Sequence, residues 1–282
     1  MGYHNGKIIA YDTRSRNCRK CALAHNKNDH DCRQNYKGSA KGMEQDMAIG
    51  MILNNELFEK HKVFLARLIM DDDSSTIAAL NRVSSYKIEK WSDQNHACKN
   101  FKGDLRGLKL SEELKEYFYS NFRTAISENK GNAKGLEACL KSIIPHAFGD
   151  HESCTFHEKN EKYEYKNIPG KKPLEGIQLQ GALQDVIDRY IAKVDMLAPA
   201  GSTQANEAFN HTVASFCPKS KHYSDSESFN FRVAAAVCQK NKGPNFLSEV
   251  YEKLGASPTS KKSKYREKKG KKNRKTSNIS KN

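Results

Sequence analysis

No stretch of this sequence approaches the ~20 consecutive apolar residues that a membrane-spanning helix requires, which excludes such a helix. Residues 1–7 are polar and hold no apolar segment of the kind a secretory leader needs. Gly6 stands where an N-myristoylation signal wants Ser or Thr after Gly2. With no leader to an oxidising compartment, the eight cysteines read as reduced thiols, some open to metal, rather than as a disulfide framework. The two sequons, at Asn210 and Asn278, then read as chance matches. No internal repeat is visible. No aromatic-basic RNP-like signature is present either, so a zinc-containing RNA-binding or ribosome-associated reading, resting only on charge and cysteines, ranks last.

What the sequence does have is positive charge. The formal net charge is +15 over 282 residues, and most of it sits at one end. Residues 261–282 carry eleven lysines and arginines against the single Glu267. Such a segment has too little apolar surface to fold, and residues 259–282 read as a disordered basic tail. Lysines and arginines displace counterions from phosphate, so the tail suits nucleic acid or nuclear localisation; a solubilising tail is the alternative.

Ahead of the tail, 37% hydrophobic residues, clustered rather than dispersed, allow one large or two small domains. Residues 7–14, after an Asn5-Gly6 turn signal, predict a short strand. Met43, Met47, Met51 and Phe58 recur at helical spacing and predict an amphipathic helix over 43–60 with its methionines in a core. Residues 63–70 form a nearly continuous apolar run broken by Arg67, the pattern of a strand buried on both faces. A capped helix over 76–83 and a strand over 86–91 complete a β–α–β alternation, which implies a sheet covered by helices. From 99 to 197 helical patterns dominate, at 105–122, 135–144 and 179–196. Ser202 can cap a helix over 203–215, and a last helix spans 229–240.

Five groups carry possible chemistry. Asp71-Asp72-Asp73 follows the apolar strand, where open α/β sheets place ligands, and a carboxylate there suits Mg²⁺. Taken alone, such a turn is more often a solvated cap. Glu207, Asn210 and His211 share one face of the helix after Ser202, again either a site or a solvated face. Cys18-x₂-Cys21-x₈-His30-x-Cys32 offers four soft ligands for a structural zinc that closes a polar loop, with His25 as a spare; free thiols are the alternative. His146, His151, Cys154 and His157 form a looser set that permits a metal or lies on the surface. The segment from Trp91 to His96 either lines the same cleft as Asp71 or forms a capped helix start with a buried His96.

Taken in order, residues 18–32, Lys37-Gly38-Ser39-Ala40-Lys41-Gly42-Met43-Glu44, 71–76, 91–99, 145–151, 201–210 and 231–236 resemble the Mutator-like transposases. The likeness is greatest to the animal type with a Cys/His-rich insertion, and it runs from about residue 7 to about 258. It implies an α/β, ribonuclease-H-like fold: a mixed sheet, a large all-helical insertion and a small zinc-type loop. The implied domains are 1–98 (with the Cys/His insertion at 18–41), a helical insertion at 99–200, and C-terminal core helices at 201–258.

The resemblance also implies a DDE triad. Asp71 matches the second carboxylate, with Asp73 as its alternative, and Glu207 matches the third. The first Asp belongs on a strand that would precede residue 7, and no Asp comes before Asp12, which sits on what should be a later strand. The expectation is therefore a catalytic domain truncated at its N-terminus, without its first strand. In such enzymes two Mg²⁺ (or Mn²⁺) ions ~4 Å apart activate the attacking oxygen and stabilise the leaving one. The partners implied are transposon-end and target DNA in the nucleus, no membrane, and a homo-oligomer. A decayed or domesticated zinc-containing DNA-binding protein without catalysis is the alternative.

Overall fold

The computed structural model describes residues 1–71, 74–152, 154, 164–223 and 225–256. The chain forms two compact units, Met1–Lys62 with Gln204 onward, and Val63–Thr203.

The first unit begins with a turn, irregular chain and a Cys/His loop that carries helix α1 (Arg19–Ala22). Helix α2 (Ala40–Ile52) starts where Ser39 accepts a hydrogen bond from the Gly42 N–H. Helix α3 (Glu56–Lys60) starts where Asn55 accepts from the Leu57 and Phe58 N–H groups. The single helix expected over 43–60 is therefore two, because Asn55 caps a new start rather than continuing the old helix. Met43, Met47 and Met51 are half-buried, and Ala48 is the buried residue of α2.

The strand expected over 7–14 does not form. Residues 7–12 alternate between exposed and half-buried, as a strand's would. Its partner, however, is a side chain: Asn241 donates from Nδ2 to the Ile8 carbonyl (2.9 Å) and accepts the Ile8 N–H (2.8 Å). The amide of one asparagine imitates one rung of a ladder, and among the described residues no ladder follows.

The second unit opens with β1 (Arg67–Met70), helix α4 (Ser75–Val83) and β2 (Glu89–Ser92). The strands are parallel, with Arg67 opposite Glu89 and Met70 opposite Ser92. The β–α–β alternation is present, but β1 occupies only the second half of the apolar run. Val63 and Phe64 are exposed, and Leu68 to Met70 are half-buried rather than covered on both faces. Asn81 at the end of α4 holds the entry to β2 by accepting the Ile88 N–H (2.7 Å) and donating to the Ile88 carbonyl (3.1 Å).

Five helices follow: α5 (Gln94–Arg106), α6 (Glu112–Glu128), α7 (Ala133–Ala147), α8 (Ile177–Ile191) and α9 (Val194–Leu197). Asp93, Ser111 and Asn132 cap the first three through their side-chain oxygens. The continuous helix expected over 105–122 breaks at Gly107, and Ser111 restarts it as α6. These helices enclose the main hydrophobic core. At its centre Phe101 stacks on Phe122 (centroids 4.2 Å apart), and Tyr190 meets both rings edge-on.

The chain then returns to the first unit through α10 (Gln204–Phe216), α11 (Glu227–Lys242) and α12 (Phe246–Lys253). The described residues thus make a helix-rich chain with a two-strand parallel sheet. No helix among them is long and apolar enough to cross a membrane.

Candidate metal centre and carboxylate site

In the first unit, a polar loop brings four ligands to one point. Its neck is closed by Asn35, which accepts the Ser15 N–H (2.7 Å) and donates to the Thr13 carbonyl (2.8 Å). Cys18 caps α1 and Cys21 lies one turn on, so both sulfurs face the same side. The chain returns through a short turn in which Asn26 accepts the Asn28 N–H, and the Asn26 carbonyl accepts the His30 Nδ1–H (2.8 Å). That second bond turns Nε2 inward, to 3.4 Å from Cys18 Sγ and 3.5 Å from Cys21 Sγ. Cys32 Sγ lies 3.4 Å from Cys21 Sγ, and all four ligand atoms lie within 4.8 Å of one another.

Tetrahedral zinc, with bonds of about 2.3 Å to sulfur and 2.0 Å to nitrogen, separates its ligands by roughly 3.4–3.8 Å. The three contacts at 3.4–3.5 Å fall in that range, and the four residues could hold such an ion. A backbone carbonyl on the far nitrogen of a ligating histidine is the usual way its ring is oriented. The Cys21 N–H, with those of Arg33 and Lys20 and the His30 ring, outweighs desolvation and brings the Cys18 thiol down to about 6. Desolvation, then its neighbours Cys32 and Cys18, pushes Cys21 up to about 11. Crowded sulfurs resist becoming thiolates together, and a divalent metal removes that conflict by deprotonating its ligands outright.

In the second unit, two carboxylates end two adjacent strands. Asp71 follows β1 and Asp93 follows β2, next in register after the Met70–Ser92 pair. Their environments differ. Asp93 is buried, and both its oxygens are used: Oδ1 accepts the His96 N–H (2.8 Å), while Oδ2 accepts the Thr203 N–H (2.5 Å) and hydroxyl (2.8 Å). Burial alone would raise its pKa, but these bonds and the nearby His96 outweigh burial and hold it below the ordinary carboxylate value. Asp93 is thus a clamp that fixes the start of α5 and draws in the segment before Thr203. Gly201 in that segment pairs with Asp93 as an isolated parallel bridge, and its carbonyl accepts the Gln94 N–H (2.9 Å). A Cβ at Gly201 would come within 2.9 Å of Ile69, so only glycine lies this close to the sheet.

Asp71 faces outward, its side chain about half exposed. His96 Nε2 lies 3.4 Å from its Oδ1, an ion pair whenever the imidazole is protonated. The two readings of the segment from Trp91 to His96 are therefore joined. Asp93 caps the helix, and the cap fixes the backbone of the histidine that reaches Asp71. His96 is half-buried rather than buried. Sequence reasoning missed Asp93 as the hub because its main partner, Thr203, lies 110 residues away.

Glu207 lies in the first turn of α10, in the first unit, with Asn210 and His211 one turn on; all three are exposed. Asp73 lies outside the described residues, as do His157 and the basic tail. His146, His151 and Cys154 do come together, their ligand atoms within 4.8 Å of one another. Tyr117 Oη lies 3.4 Å from His146 Nδ1, and Tyr165 Oη 2.7 Å from His151 Nε2.

A family model described as Mutator-like transposase matches residues 1–160, more than half of the chain and a span holding the Cys/His loop, Asp71, Asp93 and His96. No curated protein and no solved structure matches.

Proposed function

The chain belongs to the Mutator-like transposase family, and we propose that it is the catalytic domain of a DNA transposase that cleaves and rejoins phosphodiester bonds with Mg²⁺ or Mn²⁺. One observation carries the reading: an outward-facing carboxylate, Asp71, at the carboxyl end of a parallel strand, with His96 against it. Open sheets of this kind take ligands off that edge. Asp71 offers the hard oxygen donors that Mg²⁺ requires, whereas the oxygens of Asp93 are buried and already hydrogen-bonded.

In this reading Asp71 and Glu207 hold the metal, Asp73 is the alternative to Asp71, and the core is ribonuclease-H-like, with 99–200 as its helical insertion. The bound ions supply Lewis-acid stabilisation of charge on the phosphate and on the attacking and leaving oxygens. The chain's own residues orient the site. Asp93 fixes the α5 terminus, α5 presents His96, and His96 restrains one oxygen of Asp71. Zinc at Cys18, Cys21, His30 and Cys32 is structural and closes a loop with little apolar surface of its own. His146, His151 and Cys154 form a second, three-ligand set for zinc. The DNA substrate and the basic tail place the work in the nucleus, and synapsis of two DNA ends calls for a homo-oligomer.

A second reading, a DNA-binding protein that has lost catalysis, is favoured by Asp12. This carboxylate accepts the Thr13 N–H (2.7 Å) and pairs with Arg14, which ties it into local structure. A Mg²⁺/Mn²⁺-dependent nicking and strand-transfer assay separates the two. The transposase reading expects activity that is abolished by Asp71→Ala or by Glu207→Ala with DNA binding retained. Binding without any cleavage selects the second reading. Cleavage that survives Asp71→Ala and Asp73→Ala together removes the carboxylate assignment.

A further inference from the structure

The face of α5 that carries His96 does not end at the carboxylate site. His96, Lys99, Asn100 and Gly103 are spaced i, i+3, i+4 and i+7 and form one stripe along the helix. The opposite stripe, Ala97, Phe101 and Leu105, is buried in the core. Where the outer stripe meets α8, an open cleft of about 490 Å³ lies between the two helices, lined by Lys99, Asn100, Gly103, Arg189, Tyr190 and Lys193, with Asp104 at its side.

The cleft is basic and built. Lys99, Arg189 and Lys193 are exposed, and among the described residues no ion pair to Lys99 or Lys193 is found. The one carboxylate, Asp104, is engaged from within. It accepts the Tyr190 hydroxyl (2.9 Å) and lies 3.3 Å from Arg189. The Tyr190 ring packs against Phe101 and Phe122, so this wall is anchored in the core of the unit. The floor is open at Gly103, where an added Cβ would meet no atom within 4 Å.

We infer that this cleft is a track for the DNA phosphodiester backbone, leading along α5 to Asp71. The inference rests on the DNA reading above and names the surface that delivers the strand. Its dimensions suit the polymer. From His96 to Gly103 the helix rises about 10 Å, close to three axial steps between successive phosphates of one DNA strand at about 3.4 Å each. Three cations, Lys99, Arg189 and Lys193, face that span. The backbone contacts fix register without reading sequence, and they place a phosphodiester at the strand end where Asp71 and His96 meet.

The test uses the full chain and a fluorescent duplex of about 25 base pairs, with binding measured by anisotropy at several salt concentrations. Replacing Lys99, Arg189 and Lys193 together by Gln is expected to flatten the slope of log K against log salt by about 2–3 and to weaken binding roughly a hundredfold at 0.1 M salt. A decoy triple, Lys87→Gln, Lys130→Gln and Lys134→Gln, removes the same charge from exposed positions of the same unit. It is expected to leave the slope near the wild-type value. Gly103→Glu places a carboxylate on the floor while raising helix propensity. It is expected to weaken binding about tenfold with no fall in melting temperature.

Wild-type binding that is unchanged by the cleft triple and by Gly103→Glu overturns the track and leaves the DNA reading standing. An equal loss in the decoy triple overturns it too, by reducing it to bulk charge. A wild-type chain that binds no duplex at any salt overturns the DNA reading and the track together.

Discussion

The two units of this chain are held together by different physics. In Val63–Thr203 the core runs unbroken from α5 to α9 and includes Phe101, Phe118, Phe122, Ile126, Leu140, Ile143 and Ile187, all essentially inaccessible to solvent. In Met1–Lys62 with Gln204 onward, the buried apolar residues among those described are few and mostly small: Cys18, Ala48, Val233, Ala236, Val237 and Phe246. That unit is tied instead by polar cross-links. Asn35 closes the neck of the Cys/His loop, Asn241 holds Ile8, Asn230 accepts the Thr13 hydroxyl (2.9 Å), and four ligands surround a point that fits zinc. Hydrophobic burial grows with area and needs no partner in particular. Cross-links are directional, and each fails when one atom is changed. The comparison teaches that the first unit depends on single directional cross-links, whereas the second tolerates most single changes outside its core.

Metal removal is the largest expected effect. Structural zinc contributes on the order of 10 kcal/mol in small zinc domains. Chelation, or Cys21→Ser, is expected to release zinc and to abolish amide protection across residues 15–36, while α6 to α8 keep theirs, as read by hydrogen exchange with mass spectrometry. Unchanged protection in the first unit after complete chelation would break the comparison.

Phe122→Ala reverses the experiment. Truncating this buried ring, stacked on Phe101 and met edge-on by Tyr190, is expected to cost about 3–5 kcal/mol. The loss should appear in the second unit, with zinc content unaffected.

Asp93→Asn comes next, because it replaces an anion that holds three hydrogen bonds with a neutral amide. The expected cost is about 2 kcal/mol. Asp93 also sets a pH dependence. Its native carboxyl titrates below the unfolded value of about 3.9. Its contribution is therefore complete above that value and is lost as pH falls through the depressed native pKa. The wild type should lose stability more steeply than Asp93→Asn over that acid range, and parallel acid titrations would show that Asp93 is not the clamp.

The smallest effect sharpens the contrast from the other side. Phe231 on α11 is 68% exposed, between two clefts of the first unit. Phe231→Ser is expected to change stability by under about 0.5 kcal/mol. A larger loss in a thermal melt would reveal apolar packing in that unit beyond the residues named above.

Much of this was readable in the sequence, for reasons that separate local from distant interactions. The β–α–β segment was legible because apolar runs and turn residues determine it locally. The Cys/His loop was legible because zinc-type ligands keep short spacings. The break between α5 and α6 was hidden, since Leu108 and Leu110 continue the apolar pattern across the turn that Ser111 ends. The strand expected over 7–14 carries a strand's alternation, but pairing is decided by what lies beside it, and that neighbour is the side chain of Asn241. Asp93 was hidden for the same reason: nothing near it in sequence announces Thr203.

Iron-directed cleavage tests the central claim most directly. Fe²⁺ takes the place of Mg²⁺ in oxygen-ligand sites, and with ascorbate and peroxide it cuts the polypeptide next to its ligands. The account predicts a cut beside Asp71 that is competed by Mg²⁺ and is lost in Asp71→Ala. No cut beside Asp71, or a cut that persists in Asp71→Ala, would contradict a metal at this carboxylate and with it the transposase chemistry.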